Sequence, residues 1–353
     1  MAARGATPLE THGRDAHAMF FMKRFGEFLQ RYDVLIIFAL LFAANAIWQP
    51  GVFLQPENLR NLFNQNVAVG IVALGMTIVI VTGGIDLSVG SMMALSGGLS
   101  VLALNKVLGT GASETTASIV AILTCIAVGT VLGAVNGAMV AIGRVAPFVA
   151  TLVGLVAYRS LCMALAEGSE IRSNSPEVFP GLGTNGIPLP FVHVSGGGAL
   201  IFTWGMVLFV LVAIAASYLL NRMVFGRYAT ATGANEQASR YAGVNTRASK
   251  FWSYTVLGLF TGLAAITLAT RMNSVASSTM GQYYELDAIA AVVIGGTSLR
   301  GGSGRIWGTV VGVLLLGVIT NMLVTVGVSV YWQGVVKGGI ILIAALMQRG
   351  RAE

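Results

Sequence analysis

Charged residues and cysteines are scarce in this chain of 353 residues. Only 10% of its residues are charged, whereas soluble domains carry about 25%. The two cysteines, Cys125 and Cys162, both fall in apolar segments, so we expect neither a disulfide framework nor a thiolate metal site. Because 55% of the residues are hydrophobic, a water-soluble fold could not cover them, and the composition predicts a protein that lies mostly in a membrane.

Motifs for ATP binding, catalysis and metal binding are missing from the sequence. None of its lysines is followed by serine or threonine, so the phosphate-binding loop G-x-x-x-x-G-K-[ST] is absent. His12, His17 and His193 fall in a predicted tail and loop without a partner at metal-ligand spacing. We therefore predict no catalytic residue, no metal and no cofactor in this chain. If ATP drives the protein, another subunit must hydrolyse it.

Long apolar runs recur along the chain at about the length of a membrane-crossing helix, roughly 20 residues. They predict an all-α fold, a polytopic transmembrane bundle of about ten helices. The eighth run is short and ends in glycine, which favours a broken or re-entrant helix. The 45 glycines indicate close helix packing. The predicted spans are 32–48, 67–82, 88–104, 117–142, 147–166, 200–220, 250–270, 285–297, 306–326 and 331–347.

The charges of two loops predict the orientation. Segment 221–250 holds five basic residues against one acidic residue, and segment 167–198 holds three acidic residues against one basic residue. Because basic loops stay in the cytoplasm, we expect 221–250 to be cytoplasmic and 167–198 to be periplasmic. Ten crossings then place both termini in the cytoplasm, with 1–31 as a cytoplasmic tail and 32–348 as the membrane domain. The net charge of +7 is spread over short loops, so no nucleic-acid partner is predicted.

A few charged residues lie in or near the apolar spans, where charge is costly and often functional. They show neither the arginine repeat of a voltage sensor nor the mid-span carboxylates of a proton relay. Two interpretations stay open: helix caps or buried ion pairs, and contacts to a substrate. These residues are Asp86, Arg159, Glu285, Asp287 and Lys337.

A polar stretch and a pair of similar glycine-containing segments each allow two interpretations. The polar stretch 225–245 is long enough for a short helix flanked by Gly233 and Gly243, and it serves either as a docking surface or as a solvated connector. Segments 83–90 and 295–302 share two leading glycines, a leucine and a final glycine. Each follows an apolar helix, so an internal repeat and chance are equally good explanations.

Several motifs resemble one family. GMTIVIVTGGIDLSVGS at 75–91, GRYATATGANEQASRYAGVN at 226–245 and YELDAIAAVVIGGTSLRGGSGRIWGT at 284–309 resemble the ribose-type permeases of bacterial sugar ABC importers, a binding-protein-dependent inner membrane component. GRVAPFVATL at 143–152 and VKGGIILIAAL at 336–346 add to the likeness. The resemblance runs in order over about 58–347, and motifs of this length at compatible spacing are highly specific.

The resemblance implies a multi-pass subunit in the bacterial inner membrane, surrounded by lipid, that forms the path for a monosaccharide such as a ribose-like pentose. A second permease subunit, identical or closely related, would complete the path. A periplasmic binding protein would deliver the sugar, and a separate ATPase, which binds ATP and Mg, would dock on a coupling helix in 225–245.

The resemblance also implies roles for particular residues. The coupling loop would use Gly226, Arg227, Gly233, Asn235, Ala238, Arg240, Gly243 and Asn245. The family motifs include Gly84, Asp86, Ser88, Gly90, Glu285, Asp287, Gly295 and Gly296. Because sugars are neutral and rich in hydroxyls, amide and aromatic groups suit the path, although buried amides also join helices to each other. By residue type the path candidates are Asn66, Asn136, Asn321, Trp332 and Gln333.

Two other functions remain as alternatives. A gradient-driven transporter that works alone would need ionisable residues in mid-span, and Arg159 and Lys337 are the main candidates. A membrane enzyme acting on lipid substrates would need acidic or histidine residues clustered at one membrane face, and the sequence shows no such cluster.

Overall fold

The computed structural model describes residues 34–193 and 199–349, so the predicted tail 1–31 lies outside the described residues. In chain order the elements are α1 (Val34–Trp48), α2 (Pro50–Phe53), α3 (Pro56–Val81), α4 (Val89–Leu108), α5 (Glu114–Ala141), α6 (Pro147–Leu165), β1 (Glu170–Arg172), α7 (Val178–Thr184), β2 (Gly186–His193), β3 (Ala199–Thr203), α8 (Trp204–Asn221), α9 (Val224–Ala234), α10 (Glu236–Tyr241), α11 (Thr246–Met272), β4 (Ser274–Ala276), α12 (Tyr284–Ile294), α13 (Ile306–Thr325) and α14 (Val330–Arg349).

Within the described ranges, seven helices are long and apolar enough to cross a membrane: α3, α4, α5, α6, α8, α11 and α13. Each coincides with a predicted span, which confirms the helical membrane architecture. The other three predicted spans coincide with α1, α12 and α14, which lie outside that set. The 11 residues of α12 extend only about 16 Å, roughly half of a hydrocarbon core about 30 Å thick.

Local sequence signals set several helix boundaries. Pro56 and Pro147 open α3 and α6, where a missing N–H costs no helix hydrogen bond. The Ser113 hydroxyl caps α5 by accepting from the Thr116 N–H at 3.2 Å. Asn273, with a φ of 52°, ends α11 in the left-handed conformation, which asparagine tolerates better than most residues.

The core forms around α3. In its most apolar stretch 83% of the residues are buried, against 28% for each of α5, α6 and α8. Helices α5 and α11 approach through glycines, because a Cβ on Gly129 would lie 2.6 Å from the Gly258 carbonyl oxygen, and one on Gly133 would lie 2.7 Å from the Gly258 Cα. The expectation that glycine serves close helix packing is confirmed for this pair.

Two small antiparallel sheets, β1 with β4 and β2 with β3, were missed by the prediction of an all-α fold. Ile171 pairs with Val275, and Ile187 pairs with Phe202. Both sheets lie at one end of the bundle, which we call the acidic end after the charges of 167–198. Helix α8 leads from β3 to α9, so 222–245 lies at the opposite, basic end, about 27 Å away along that helix.

Candidate functional site

Three segments that are distant in the sequence meet at the basic end. The Gly302 N–H donates to the Val81 carbonyl at 2.9 Å, which joins the end of α3 to the loop before α13. A Cβ on Gly233, in the last turn of α9, would lie 2.6 Å from the Gly302 nitrogen. One on Gly301 would lie 3.0 Å from both the Gly233 oxygen and the Gly83 nitrogen. We call the contact among Gly83, Gly233, Gly301 and Gly302 the glycine junction.

The backbone at the glycine junction also requires glycine. Gly83, Gly301 and Gly302 have φ values of 81°, 85° and 77°, a region that side chains with a Cβ rarely adopt. A Cβ on Gly302 would in addition lie 2.7 Å from the Cα of Ala234. The three family motifs therefore touch through backbone atoms.

Helices α3 and α12 end in the same way. The Gly83 N–H donates to the Ile80 carbonyl and the Gly84 N–H to the Val79 carbonyl, at 2.9 and 3.0 Å. In α12 the Gly296 N–H donates to Val293 and the Thr297 N–H to Val292, at 3.0 and 3.2 Å. Both are Schellman ends with a positive-φ glycine. In these two ends Gly83 of the first segment is structurally equivalent to Gly296 of the second. The sequence match aligns Gly83 with Gly295 instead, so the two alignments differ by one residue.

The predicted coupling segment folds as two helices. The short helix expected between Gly233 and Gly243 is α10, and α9 precedes it. The Asn235 side chain caps α10 by accepting from the Ala238 N–H at 2.9 Å, and Asn245 caps α11 by accepting from the Ala248 N–H at 3.0 Å.

The other predicted coupling residues divide into internal and exposed positions. Gly226 is buried, and a Cβ there would lie 2.6 Å from the Leu219 carbonyl oxygen. Arg227, Ala238 and Arg240 are exposed at the basic end. Tyr241, at the end of α10, is 85% exposed, so α10 offers an open surface.

An ion-pair cluster fixes α10 to the first turns of α11. Glu236 binds Arg240 at 2.7 Å and Lys250 at 2.6 Å, and it accepts from the Thr246 hydroxyl at 3.3 Å. Partial burial alone would raise the pKa of Glu236, but the hydrogen bonds and charges of Lys250 and Arg240 together outweigh it and hold that pKa below its usual value. Glu236 is therefore an ionised anchor in an otherwise basic surface.

Asp86 and Ser88 belong to a buried network between α4, α5 and α6. The Asp86 carboxylate accepts from the Ser88 N–H and hydroxyl, both at 2.7 Å, and from the Asn136 amide at 3.0 Å. The Tyr158 hydroxyl donates to the Asn136 oxygen at 2.8 Å. The Tyr254 hydroxyl donates to the Ile85 carbonyl at 3.1 Å. Asp86 thus joins the turn before α4 to α5.

The segment before α12 is held by a charge within the bundle. Arg159 of α6 donates to the carbonyls of Ser277 and Met280 at 3.2 and 2.8 Å. A Cβ on Gly281 would lie 3.1 Å from the Cα of Gly90, so this segment also lies against the start of α4.

Helix α12 is tied to both of the helices that follow it. Asp287 forms an ion pair with Lys337 of α14 at 3.0 Å, and Glu285, in the same first turn of α12, is partly buried. A Cβ on Gly295 would lie 2.6 Å from the Gly308 oxygen of α13. Arg159 and Lys337, the two charges that would suit a gradient-driven carrier, are thus engaged in contacts within the chain.

The predicted path residues are not brought together. The Asn66 amide donates to the Leu62 carbonyl at 2.7 Å, Asn136 belongs to the Asp86 network, and Asn321 exchanges hydrogen bonds with Asn58. Gln333 donates to the Val328 carbonyl at 2.9 Å, and Trp332 is 65% exposed. Each of these four amides is thus engaged in a hydrogen bond within this chain.

The structure shows a polar pocket that the sequence analysis missed. It is lined by Asn61, Asn64, Gln65, Arg271 and Tyr284 and lies at the acidic end. A signal was present, because residues 61, 64 and 65 lie three and four positions apart and share a helix face. They were overlooked because they precede the apolar run that begins at residue 67.

Comparisons with known proteins give a consistent result. The model of the family described as "Branched-chain amino acid transport system / permease component" matches residues 58–345. The chain is 40% identical over 319 residues to the ribose import permease protein RbsC of Escherichia coli K12, covering 90% of this chain and 94% of that protein.

Two further relatives extend this result. Identity to RbsC of Bacillus subtilis is 40% over 360 residues, covering 98% of both chains. Identity to the xylose transport system permease protein XylH of Haemophilus influenzae is 31% over 365 residues, covering 90% of this chain and 95% of that one. No solved structure matches.

Proposed function

The chain belongs to the family described as the permease component of branched-chain amino acid transport systems, and we propose that it is the membrane permease subunit of a sugar importer driven by a separate ATPase. The glycine junction carries the proposal, since it unites the three segments that resemble ribose-type permeases. The relatives named as ribose and xylose permeases support a monosaccharide, such as a ribose-like pentose, as the cargo.

The partner ATPase docks on the outer face of α9 and α10. Exposed Arg227 and Arg240, with exposed Arg247 in the adjoining first turn of α11, give this surface positive charge, while Ala238 leaves room for a partner to approach. Such a surface suits an acidic groove on the partner. ATP and Mg belong to that partner, which agrees with the missing phosphate-binding loop in this chain.

Movement of α9 and α10 would reach the bundle through the glycine junction. Gly233 touches Gly302, which is bonded to Val81, so a push on α9 bears on the end of α3 and on the loop between α12 and α13. Packed contacts of this kind favour rigid-body rocking between discrete states over gradual deformation.

The basic end faces the cytoplasm, and the acidic end faces the periplasm, where a binding protein delivers the sugar. This orientation follows the distribution of charge between 221–250 and 167–198. The full domain, 32–348, makes about ten crossings in the bacterial inner membrane: the seven long helices, α1, α14, and α12 together with the segment 277–283 before it, since α12 alone spans only about half of the hydrocarbon core. Both termini are cytoplasmic, 1–31 forming the N-terminal tail.

A second permease subunit, either another copy or a close relative, completes the translocation path. Helices α5, α6 and α8 each bury only 28% of their most apolar stretch, so they leave broad apolar faces. A partner helix or lipid covers such a face in a membrane.

A second candidate cargo is a branched-chain amino acid, favoured by the description of the matching family. A transport assay distinguishes this cargo from a sugar. The chain is purified in mild detergent, bound proteins are identified by mass spectrometry, and the complex is reconstituted in vesicles with ATP, its ATPase and its binding protein. We expect an ATPase and a permease partner to be recovered, and labelled D-ribose or D-xylose to be imported.

Other results of the same experiment would redirect the assignment. Import of L-leucine in place of the pentoses would favour the amino-acid cargo. Sugar import by the chain alone, without any ATPase, would support a gradient-driven carrier.

A further inference from the structure

A polar pocket of about 520 Å³ lies between the N-terminal part of α3, the last turn of α11 and the start of α12. Its volume falls within the range of roughly 300–1,000 Å³ found for small-molecule sites. Its place at the acidic end is fixed by Arg271, because α11 leads directly to β4, which pairs with β1. The lining residues are Asn61, Asn64, Gln65, Arg271 and Tyr284.

Part of this lining is held in place by neighbouring elements. The Asn64 side-chain oxygen accepts from the Thr203 hydroxyl at 3.0 Å, and the Asn64 carbonyl accepts from Arg271 at 3.0 Å. These contacts tie α3 to β3 and to α11. Since a guanidinium has five N–H donors, this bond leaves most of them available.

The remaining lining groups are open to a ligand. Asn61 is exposed, and its oxygen accepts from Arg60 at 3.0 Å, which leaves its amide donors. Among the described residues, the Gln65 amide and the Tyr284 hydroxyl make no hydrogen bond within the chain. The pocket therefore combines a fixed wall with unused donors and acceptors.

We propose that this pocket binds a neutral monosaccharide on its way through the permease. Amides both donate and accept, as sugar hydroxyls do, and the Tyr284 ring provides an apolar face for sugar C–H groups. A zwitterionic amino acid would need a carboxylate for its ammonium group, and the lining contains none. The proposal rests on the assignment as a sugar permease and names the residues that contact the cargo.

The pocket is also connected to the glycine junction. Tyr284 is the first residue of α12, and Gly296, in the turn that closes the other end of that helix, lies about 18 Å away. The chain then continues to Gly301 and Gly302. A sugar bound at Tyr284 thus lies at one end of the helix whose other end leads to the coupling segment.

Thiol labelling tests the pocket directly. Both native cysteines are buried, so Gln65→Cys introduces one accessible thiol, Asn61→Cys a second reporter, and Gln282→Cys an exposed control outside the lining. Each full-length variant, in complex with its ATPase, is labelled with or without D-ribose, D-xylose or L-leucine. A pentose at twice its Kd should slow labelling of the pocket thiols roughly threefold and leave the control unchanged.

Second substitutions test individual contacts. Adding Tyr284→Phe to the Asn61→Cys reporter should raise the pentose Kd, measured from the concentration dependence of protection, roughly two- to tenfold, the equivalent of one net hydrogen bond. Adding Gln282→Ala should not change it. Equal protection in both backgrounds would overturn the contact assigned to Tyr284.

The labelling experiment tests the pocket, and the transport assay tests the permease function, so either proposal can be contradicted without the other. ATP-dependent pentose uptake by the unsubstituted complex, without protection of either pocket thiol, would overturn the pocket and leave the permease function standing. Protection by L-leucine in place of the pentoses would overturn the sugar assignment itself.

Discussion

Gly233 and Gly302 lie in backbone contact across the basic end of the bundle, so close that a Cβ on Gly233 would lie 2.6 Å from the Gly302 nitrogen. The Gly302 N–H is at the same time bonded to the Val81 carbonyl. Three residues from three separate elements thus share one point. The sequence predicts Gly233 as a residue of the docking segment. In the structure it lies in the contact that joins α9 to the bundle.

Gly233→Ala should disturb the glycine junction. The added methyl group meets backbone atoms of Val81 and Gly302, which cannot rotate away as a side chain can, so we expect a loss of about 1–3 kcal/mol of stability. The midpoint of thermal unfolding in detergent measures this loss, and faster proteolysis within 222–245 locates it.

Gly51→Ala is the matched control, because a Cβ there meets nothing within 4 Å and alanine favours the helix. Equal unfolding midpoints for Gly233→Ala and Gly51→Ala would show that the contact at the glycine junction is not tight in solution.

Ala238→Glu should weaken association with the ATPase while leaving the fold intact. Ala238 is exposed on α10, and a carboxylate there would face an acidic partner. Like-charge repulsion should raise the Kd at least roughly tenfold, about 1.4 kcal/mol, as measured by binding of the ATPase to immobilised permease. Asn174→Glu, which adds the same charge at an exposed position of the opposite end, is the control. Unchanged affinity for Ala238→Glu would place the docking surface elsewhere.

Glu236→Gln should remove a pH-dependent contribution to stability. The folded pKa of Glu236 lies below its unfolded value of 4.5, so its stabilisation is complete above that pH and is lost as the pH falls through the folded pKa. Thermal unfolding from about pH 7 to about pH 3 should show the native chain as the more stable at neutral pH, with the difference from Glu236→Gln closing in acid. A difference that persisted in acid would have another cause than the ion pairs with Arg240 and Lys250.

Labelling from outside the cell should distinguish the two ends of the bundle. Asn185 lies at the acidic end and Gln237 at the basic end, and both are exposed. A membrane-impermeant thiol reagent should modify Asn185→Cys in intact cells, and Gln237→Cys only after the membrane is opened. The native cysteines are buried, so background labelling is low, and the reverse pattern would invert the orientation.

The sequence predicted the features that depend on composition and local pattern. The long spans, the short eighth helix, the separation of the charged loops and α10 all follow from apolar length, glycine position and loop charge. The two sheets did not, because β1 and β4 are three residues each and pair across about a hundred positions. Nor did the roles of the amides, since the residue type that suits a sugar also suits a contact between helices, as the hydrogen bonds of Asn321 in α13 with Asn58 in α3 show.

The last prediction concerns substitutions in the buried hydrogen-bond network around Asp86. Asp86→Asn would turn an amide toward the Asn136 amide, leaving a donor facing a donor, and should cost about 1–3 kcal/mol. Combining Asp86→Asn with Asn136→Asp restores a match, because the new side-chain oxygen at position 86 still accepts from Ser88 while its amide donates to the exchanged carboxylate, which also accepts from Tyr158. Thermal unfolding should therefore place the double variant above Asp86→Asn alone. A double variant whose two losses simply add would mean that the residues do not interact in solution as they do in the structure.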